Sequence, residues 1–393
     1  MSVHRRSPGR HRSRDGVARL AVAVAVVLAF SSAAAASATR GDGPAPLSFY
    51  SVPGSVSSRP PGTVFRALRL ASPSSFKLWA VLYHSRSRAG RDVIVSGTVA
   101  VPSSKPPRGG FPLISFAHGT TGFTDASAPS RTGDTGTPWT LGHLLKLLMP
   151  RGYALAATDY EGLGTPGPLQ LAVGLSAGHS VLDVARAARA LGHGAVARRV
   201  AVLGHSEGGH AVLWAGQLAR SYSPELRVRA VIASAPGADL DGIGRLRDHA
   251  PETTGDVLGL MGSWHDLFGA PLEGLLTPAG IHDAQAIIAD HGDQIDLSQP
   301  PFLPWPSPLP SPWPRLLREN TPGAQRTAAP ILLLVGTADQ HVPPATNLAL
   351  AETLRKTGDH VRLNVLQGAD HDHTLIDAKG EILQFLHSSL TGH

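Results

Sequence analysis

Residues 200–210 read Val200-Ala201-Val202-Leu203-Gly204-His205-Ser206-Glu207-Gly208-Gly209-His210. The apolar start suits a short strand buried on both faces, and Glu207–Arg220 carries a helical pattern. Between them lies Gly204-His205-Ser206-Glu207-Gly208, a match to G-x-S-x-G in the strand-then-helix setting that gives the motif its meaning. So sharp a turn crowds strand against helix, and Gly204 and Gly208 remove side chains that would collide there. The Ser206 hydroxyl is thereby raised over the sheet at the positive end of the following helix. Ser206 is a candidate nucleophile; the alternative is a plain turn serine.

On either side of this turn the elements alternate. Leu113–Ala117, Ala154–Thr158, Val200–Leu203, Ala230–Ala233 and Ile331–Val335 are short and apolar throughout, as in a parallel sheet covered by helices. Helical spacing appears in Leu141–Met149 and in Val181–Leu191. Before them come the β-like runs Val64–Leu70, Lys77–His84 and Asp92–Val101, the last alternating well through Val93, Val95, Gly97, Val99 and Val101. The expected fold is therefore α/β, a mostly parallel central sheet with an antiparallel N-terminal edge and helices on both faces. Val361–Leu366 and a helix from about Thr374 to Ser388 complete it.

One stretch breaks the alternation. From about Gly237 to Ala328 there are helical fragments and loops but no convincing buried strand, which reads as a helical, Pro-rich cap inserted above the sheet. Eight prolines lie between Pro300 and Pro314, interleaved with Phe302, Leu303, Trp305 and Trp313. The cap aromatics, with Trp264 and Phe268, either line a substrate pocket or meet a lipid interface, or else pack the insertion's own small core. The domain plan is then 1–38 as an export signal, 39–62 as an irregular lead-in, and 63–236 and 329–393 as the two parts of the core, with the cap at 237–328.

A hydroxyl needs a base, and the base an orienting acid. Gly336-Thr337-Ala338-Asp339 follows a buried strand, and the strand after that ends in Gly368-Ala369-Asp370-His371-Asp372-His373. Both lie at carboxyl ends of strands, the edge where Ser206 sits. Asp339 is the expected acid and His371 the expected base, with His373 the competitor and Asp370 and Asp372 read as loop or cap residues. An oxyanion requires two donors: the backbone N–H of Glu207, and that of Thr120, or alternatively Thr121, in His118-Gly119-Thr120-Thr121-Gly122. His205 and His210 read as packing residues, and Asp159-Tyr160-Glu161-Gly162 as a turn or cap, or alternatively as part of the pocket lining.

The same loop could be spaced for a metal through His371, His373, Asp370 and Asp372, but that would leave Ser206 and Asp339 unexplained. No phosphate loop or dinucleotide fingerprint is present, so neither cofactor nor metal is expected. The chain has 393 residues, no cysteine and a net charge of +6. Residues 1–38 hold six arginines and one aspartate, a net of +5. The remainder is near neutral and lacks the basic footprint of a nucleic-acid binder. Those first residues have the three parts of an export signal: arginines, an apolar run from Leu20 to Phe30, then Ala36-Ser37-Ala38. The run is too short for a permanent span, so secretion to the extracellular space is expected, with no integral membrane span after signal removal.

Taken together these segments resemble the secretory lipases of fungal and actinobacterial type, within the α/β-hydrolases. The resemblance rests on Phe116–Gly122 with Ala128-Pro129-Ser130 downstream, on Asp159-Tyr160-Glu161-Gly162-Leu163-Gly164, on the Gly204–Gly209 turn, on Ala235-Pro236-Gly237-Ala238-Asp239-Leu240, and on the acid and base loops. It implies a triacylglycerol lipase or carboxylesterase with a helical lid, working through an acyl-enzyme on Ser206. That family often carries a cysteine before its Ala-Pro-Ser segment. Ser127 stands there here, which puts the rigidity of the oxyanion loop in question. A serine peptidase on the same scaffold would use the same three residues, though groups that bind a peptide terminus are not identifiable. A non-catalytic binding protein would have no need of them.

Overall fold

The computed structural model describes residues 40–41, 45–240, 253–291, 300–327 and 329–391. The strands are β1 (Arg40–Gly41), β2 (Val64–Leu70), β3 (Phe76–Arg86), β4 (Asp92–Pro102), β5 (Phe111–Ala117), β6 (Ala154–Thr158), β7 (Val196–His205), β8 (Arg227–Ser234), β9 (Ile331–Gly336) and β10 (Val361–Leu366). They form one sheet in the order β1-β2-β3-β4-β6-β5-β7-β8-β9-β10. β2, β3, β4 and β6 pair antiparallel in succession, and every pair from β6 to β10 is parallel. The two-residue β1 adds a parallel step at the outer edge, the one departure from the expected antiparallel N-terminal side.

The alternation inside each apolar run shows why both faces need helices. Val200 and Val202 join one core cluster, while Ala201 and Leu203 join the opposite one. Ile331, Leu333 and Val335 divide from Leu332 and Leu334 in the same way, following the period of two in a strand. The first face is covered by α3 (Gly174–Leu191), α4 (Glu207–Tyr222) and α8 (Pro344–Lys356); the second by α2 (Leu141–Leu148) and α10 (Lys379–Thr391). A short α1 (Pro129–Thr132) lies between β5 and α2. The C-terminal helix expected from Thr374 is two helices, α9 (His373–Asp377) and α10, parted at Ala378.

Between β8 and β9 the described residues contain α5 (Thr254–Phe268), α6 (Pro278–Ala286) and α7 (Trp313–Asn320), and no strand of the sheet. Their aromatic residues settle against one another. Trp264 and Trp313 stack with centroids 5.8 Å apart and are buried with Leu258, Leu272 and Leu316 in a separate cluster. Each indole N–H finds a carbonyl, Trp264 on Leu171, Trp305 on Leu275 and Trp313 on Pro271. Trp264 and Trp313 thus build the insertion's own core rather than a face for lipid. The cluster also takes in Leu171, Ala172 and Val173, which ties it to the loop before α3.

Asn320, the last residue of α7, fastens this segment to the helices below. Its side-chain oxygen accepts from the Gly174 N–H, and its carbonyl accepts from the Trp214 indole and bonds to the His210 ring. His210, buried and pushed down to a pKa of about 4 by desolvation, is a structural residue, as its sequence position suggested. No helix among the described residues is long and apolar enough to cross a membrane. The proposed export signal lies outside the described residues.

Candidate functional site

Ser206 closes β7 and opens α4, with φ 55° and ψ −119°. A non-glycine residue there is strained by about 1–3 kcal/mol, and such strain persists only where the surroundings enforce it. They do: the Ser206 N–H donates to Ser234 O at 2.9 Å, and its carbonyl accepts from the N–H groups of Gly237 and His210. A Cβ on Gly204 would collide with the carbonyl of Gly208, and one on Gly208 with that of Ala117. The glycines therefore permit the close crossing that lifts the serine. The Ser206 hydroxyl makes no hydrogen bond among the described residues, the looser state common before substrate arrives.

Asp339 lies in the loop after β9 and His371 in the loop after β10. His371 Nδ1 and Asp339 Oδ2 are 2.8 Å apart. The other carboxylate oxygen, Oδ1, accepts from the N–H groups of His341 and Val342, both at 2.9 Å. With its side chain 1% exposed, Asp339 is held on both oxygens. Ser206 and His371 line one cleft of about 570 Å³ together with Thr120, Asp256 and His341. His373 instead bonds to Asp370 at 2.8 Å on the open surface, and the Asp370 carboxylate also caps the His373 N–H. Geometry thus separates two histidines that the sequence left in competition. No group of residues arranged to hold a metal occurs among the described residues.

Two histidines that sequence reasoning set aside or missed flank His371. The His341 ring stacks on it at 4.9 Å and 22°, and His205 lies on it at 4.5 Å. His205 is fully buried, and desolvation, aided by His371 and His341, drives its pKa well below the ordinary value. It stays a neutral packing surface for His371. No spacing rule could find His341, since it reaches His371 only because the loops after β9 and β10 fold over each other.

The loop after β5, expected to supply an oxyanion donor, is held by Tyr160. Tyr160, at φ 69°, donates its hydroxyl to His118 O at 2.8 Å. Asp159 is buried and accepts from Ser96 Oγ (2.6 Å), from Ser130 Oγ (2.5 Å) and from the Ser130 N–H (3.0 Å); Tyr50 OH meets Ser130 Oγ at 3.0 Å. Glu161 accepts from Ser176 in α3. The Asp159-Tyr160-Glu161 run leads into a turn at 161–162, and its three side chains tie that turn to Ser96 and Ser130, to His118 and to Ser176.

Thr120 and Glu207, whose amides were the expected oxyanion donors, also touch through side chains: Thr120 Oγ1 donates to Glu207 Oε2 at 3.1 Å. Burial raises the Glu207 pKa to about 7, against the pull of the Thr120 hydroxyl. Between pH 4.5 and 7 the native carboxyl therefore holds a proton that the unfolded chain releases, so stability falls as pH rises through that window and levels off above it. The full effect is of order 3 kcal/mol at about 1.4 kcal/mol per unit, less where water reaches the part-buried group. Glu207→Gln should flatten the pH dependence of denaturant midpoints measured at pH 5 and pH 8. Identical slopes in variant and wild type would show that Glu207 is not the titrating group.

The fold is that of the α/β-hydrolases. Residues 139–254 match the secretory lipase family, and residues 309–392 match the prolyl oligopeptidase family. The chain is 27% identical over 194 residues to Lipase A of Moesziomyces aphidis, covering 46% of this chain and 40% of that protein. It is 28% identical over 221 residues to the trichothecene C-3 esterase of Fusarium sporotrichioides, covering 51% and 47%. It thus spans less than half the length of the curated relatives it matches. The fold is similar to that of Candida antarctica lipase A in its closed state, with a TM-score of 0.74 at 19% identity over 88% of this chain and 85% of that one.

Proposed function

We propose that this protein is a secreted serine hydrolase of carboxylic esters, of the lipase and carboxylesterase kind. What carries the reading is the 2.8 Å His371–Asp339 hydrogen bond in the cleft that also holds Ser206. The export signal at 1–38 and the match to a secretory family support release from the cell.

In the first half-reaction Ser206 Oγ bonds to the ester carbonyl carbon as its proton passes to His371 Nε2. Asp339 holds the Nδ1 proton and stabilises the imidazolium without taking that proton itself. The oxyanion is met by the amides of Glu207 and Thr120, a contribution of the kind worth about 10²–10³ in kcat per donor. Collapse breaks the carbon–alkoxide bond, and His371 gives its proton to the leaving oxygen. Water then repeats the sequence on the acyl-enzyme, releasing the acid and restoring Ser206.

The match of residues 309–392 to a peptidase family favours a second reading, amide hydrolysis with the same residues. Of the expected catalytic residues that match contains Asp339 and His371 but not Ser206, and esterases and peptidases on this fold share those two loops. Initial rates on p-nitrophenyl butyrate, beside alanyl and prolyl anilides, separate the two. Turnover of the ester with no release from the anilides is expected; the opposite result would make the protein a peptidase.

A further inference from the structure

Ser206 sits on the border of two hollows of different size and character. The smaller, about 90 Å³, is walled among the described residues mainly by Leu171, Ala172, Leu240, Val257, Leu260 and Val342; it reaches Thr120 and Glu207 but not His371, and it shares Asp256 and His341 with the larger. The larger is the 570 Å³ cleft, which His371 lines together with Gln340, His341 and the carboxylates of Asp256, Asp370 and Asp372.

Chemistry assigns the two sides. If His371 is the general acid, the leaving oxygen must lie next to it, so the alcohol occupies the large cleft and the acyl chain the small apolar hollow. An enclosed apolar cavity of about 150 Å³ takes benzene; this smaller hollow, open on one side, suits a short acyl chain. Asp370 and Asp372 line only the large cleft; with Asp370 paired to His373, it is chiefly Asp372 that disfavours a negatively charged alcohol by like-charge repulsion and offers an acceptor to hydroxyl or cationic groups.

Resting on the ester-hydrolase reading, we propose that the substrates are esters of two- to four-carbon acids with bulky, polar, non-anionic alcohols. The Trp264–Trp313 stack agrees, since those side chains are committed to the insertion's interior and leave the acyl side to the aliphatic residues named above.

The test is kcat/KM on p-nitrophenyl esters of two to sixteen carbons, followed by acetate esters of a neutral polyol, of choline and of a carboxylate-bearing alcohol. Two- and four-carbon esters should exceed the twelve-carbon ester by at least about 100-fold, the discrimination a hydrophobic pocket delivers over a few methylenes. The anionic alcohol should be the poorest acetate substrate by about tenfold or more. Leu260→Ala with Val257→Ala should move the optimum to six carbons or longer. A wild-type optimum at eight carbons or beyond would overturn the acyl assignment, and equal rates on the three acetates would overturn the alcohol assignment. Hydrolysis of no ester at all, with anilides cleaved instead, is a different failure, that of the ester-hydrolase reading.

Discussion

Ser206→Ala should lower kcat by about 10⁴–10⁶, the range found when a triad serine is removed, while leaving the melting transition nearly unchanged. The two halves of that expectation have separate causes. The hydroxyl makes no hydrogen bond among the described residues, so its removal breaks no native interaction. The backbone at φ 55° is as strained for alanine as for serine and is still held by Ser234, Gly237 and His210. Only the nucleophile is lost. Turnover of p-nitrophenyl butyrate, a thermal melt and mass analysis after a serine-directed phosphonate check it together. Activity surviving at the per cent level, or label on another residue, would sink the assignment of Ser206.

Asp339→Asn should cost about 10⁴ in kcat, as the equivalent change does in other serine triads. Each of the three groups around this carboxylate presents an N–H: His341 and Val342 on one oxygen, and the His371 ring on the other. An amide supplies one acceptor and one donor. If its oxygen keeps the two backbone N–H groups, its NH₂ faces His371 and holds the ring in the tautomer that cannot take the Ser206 proton. If it turns over, the NH₂ collides with two donors. Asp339→Ala would in addition leave those amides unpaired, at about 1–3 kcal/mol. An asparagine variant within tenfold of wild type would remove Asp339 from the mechanism and leave it a loop cap.

Which parts were readable from sequence follows from what each part depends on. Strands such as Ile331–Gly336 are legible because burial on both faces demands an unbroken apolar run. The Ser206 turn is legible because only glycine fits at two of its neighbours. Asp339 and His371 follow from their place after strands at one sheet edge, yet the choice between His371 and His373 depended on which ring met the carboxylate across 32 positions of chain. That is a matter of loop path, which local pattern does not encode. The same holds for His341 and for the Asp159–Ser130–Ser96 network, whose partners come from three distant segments. The cap aromatics looked equally suited to pocket and core, because composition is blind to which way a ring points; their stacking decides it for Trp264 and Trp313.

The register of β8 on β9 carries a consequence for how such a protein can change over generations. Ser234 ends β8 and Ile331 opens β9, and the described residues between these neighbouring strands include no strand of the sheet. Closing a loop costs entropy that grows only with the logarithm of its length, about 0.6 kcal/mol for each doubling. Residues can therefore be added to or taken from this excursion at almost no thermodynamic penalty to the strands that carry Ser206, Asp339 and His371. The walls of the small hollow that come from it, Val257 and Leu260, belong to the part of the chain most at liberty to drift. Substrate range can shift by insertion and deletion there while the chemistry underneath stays put.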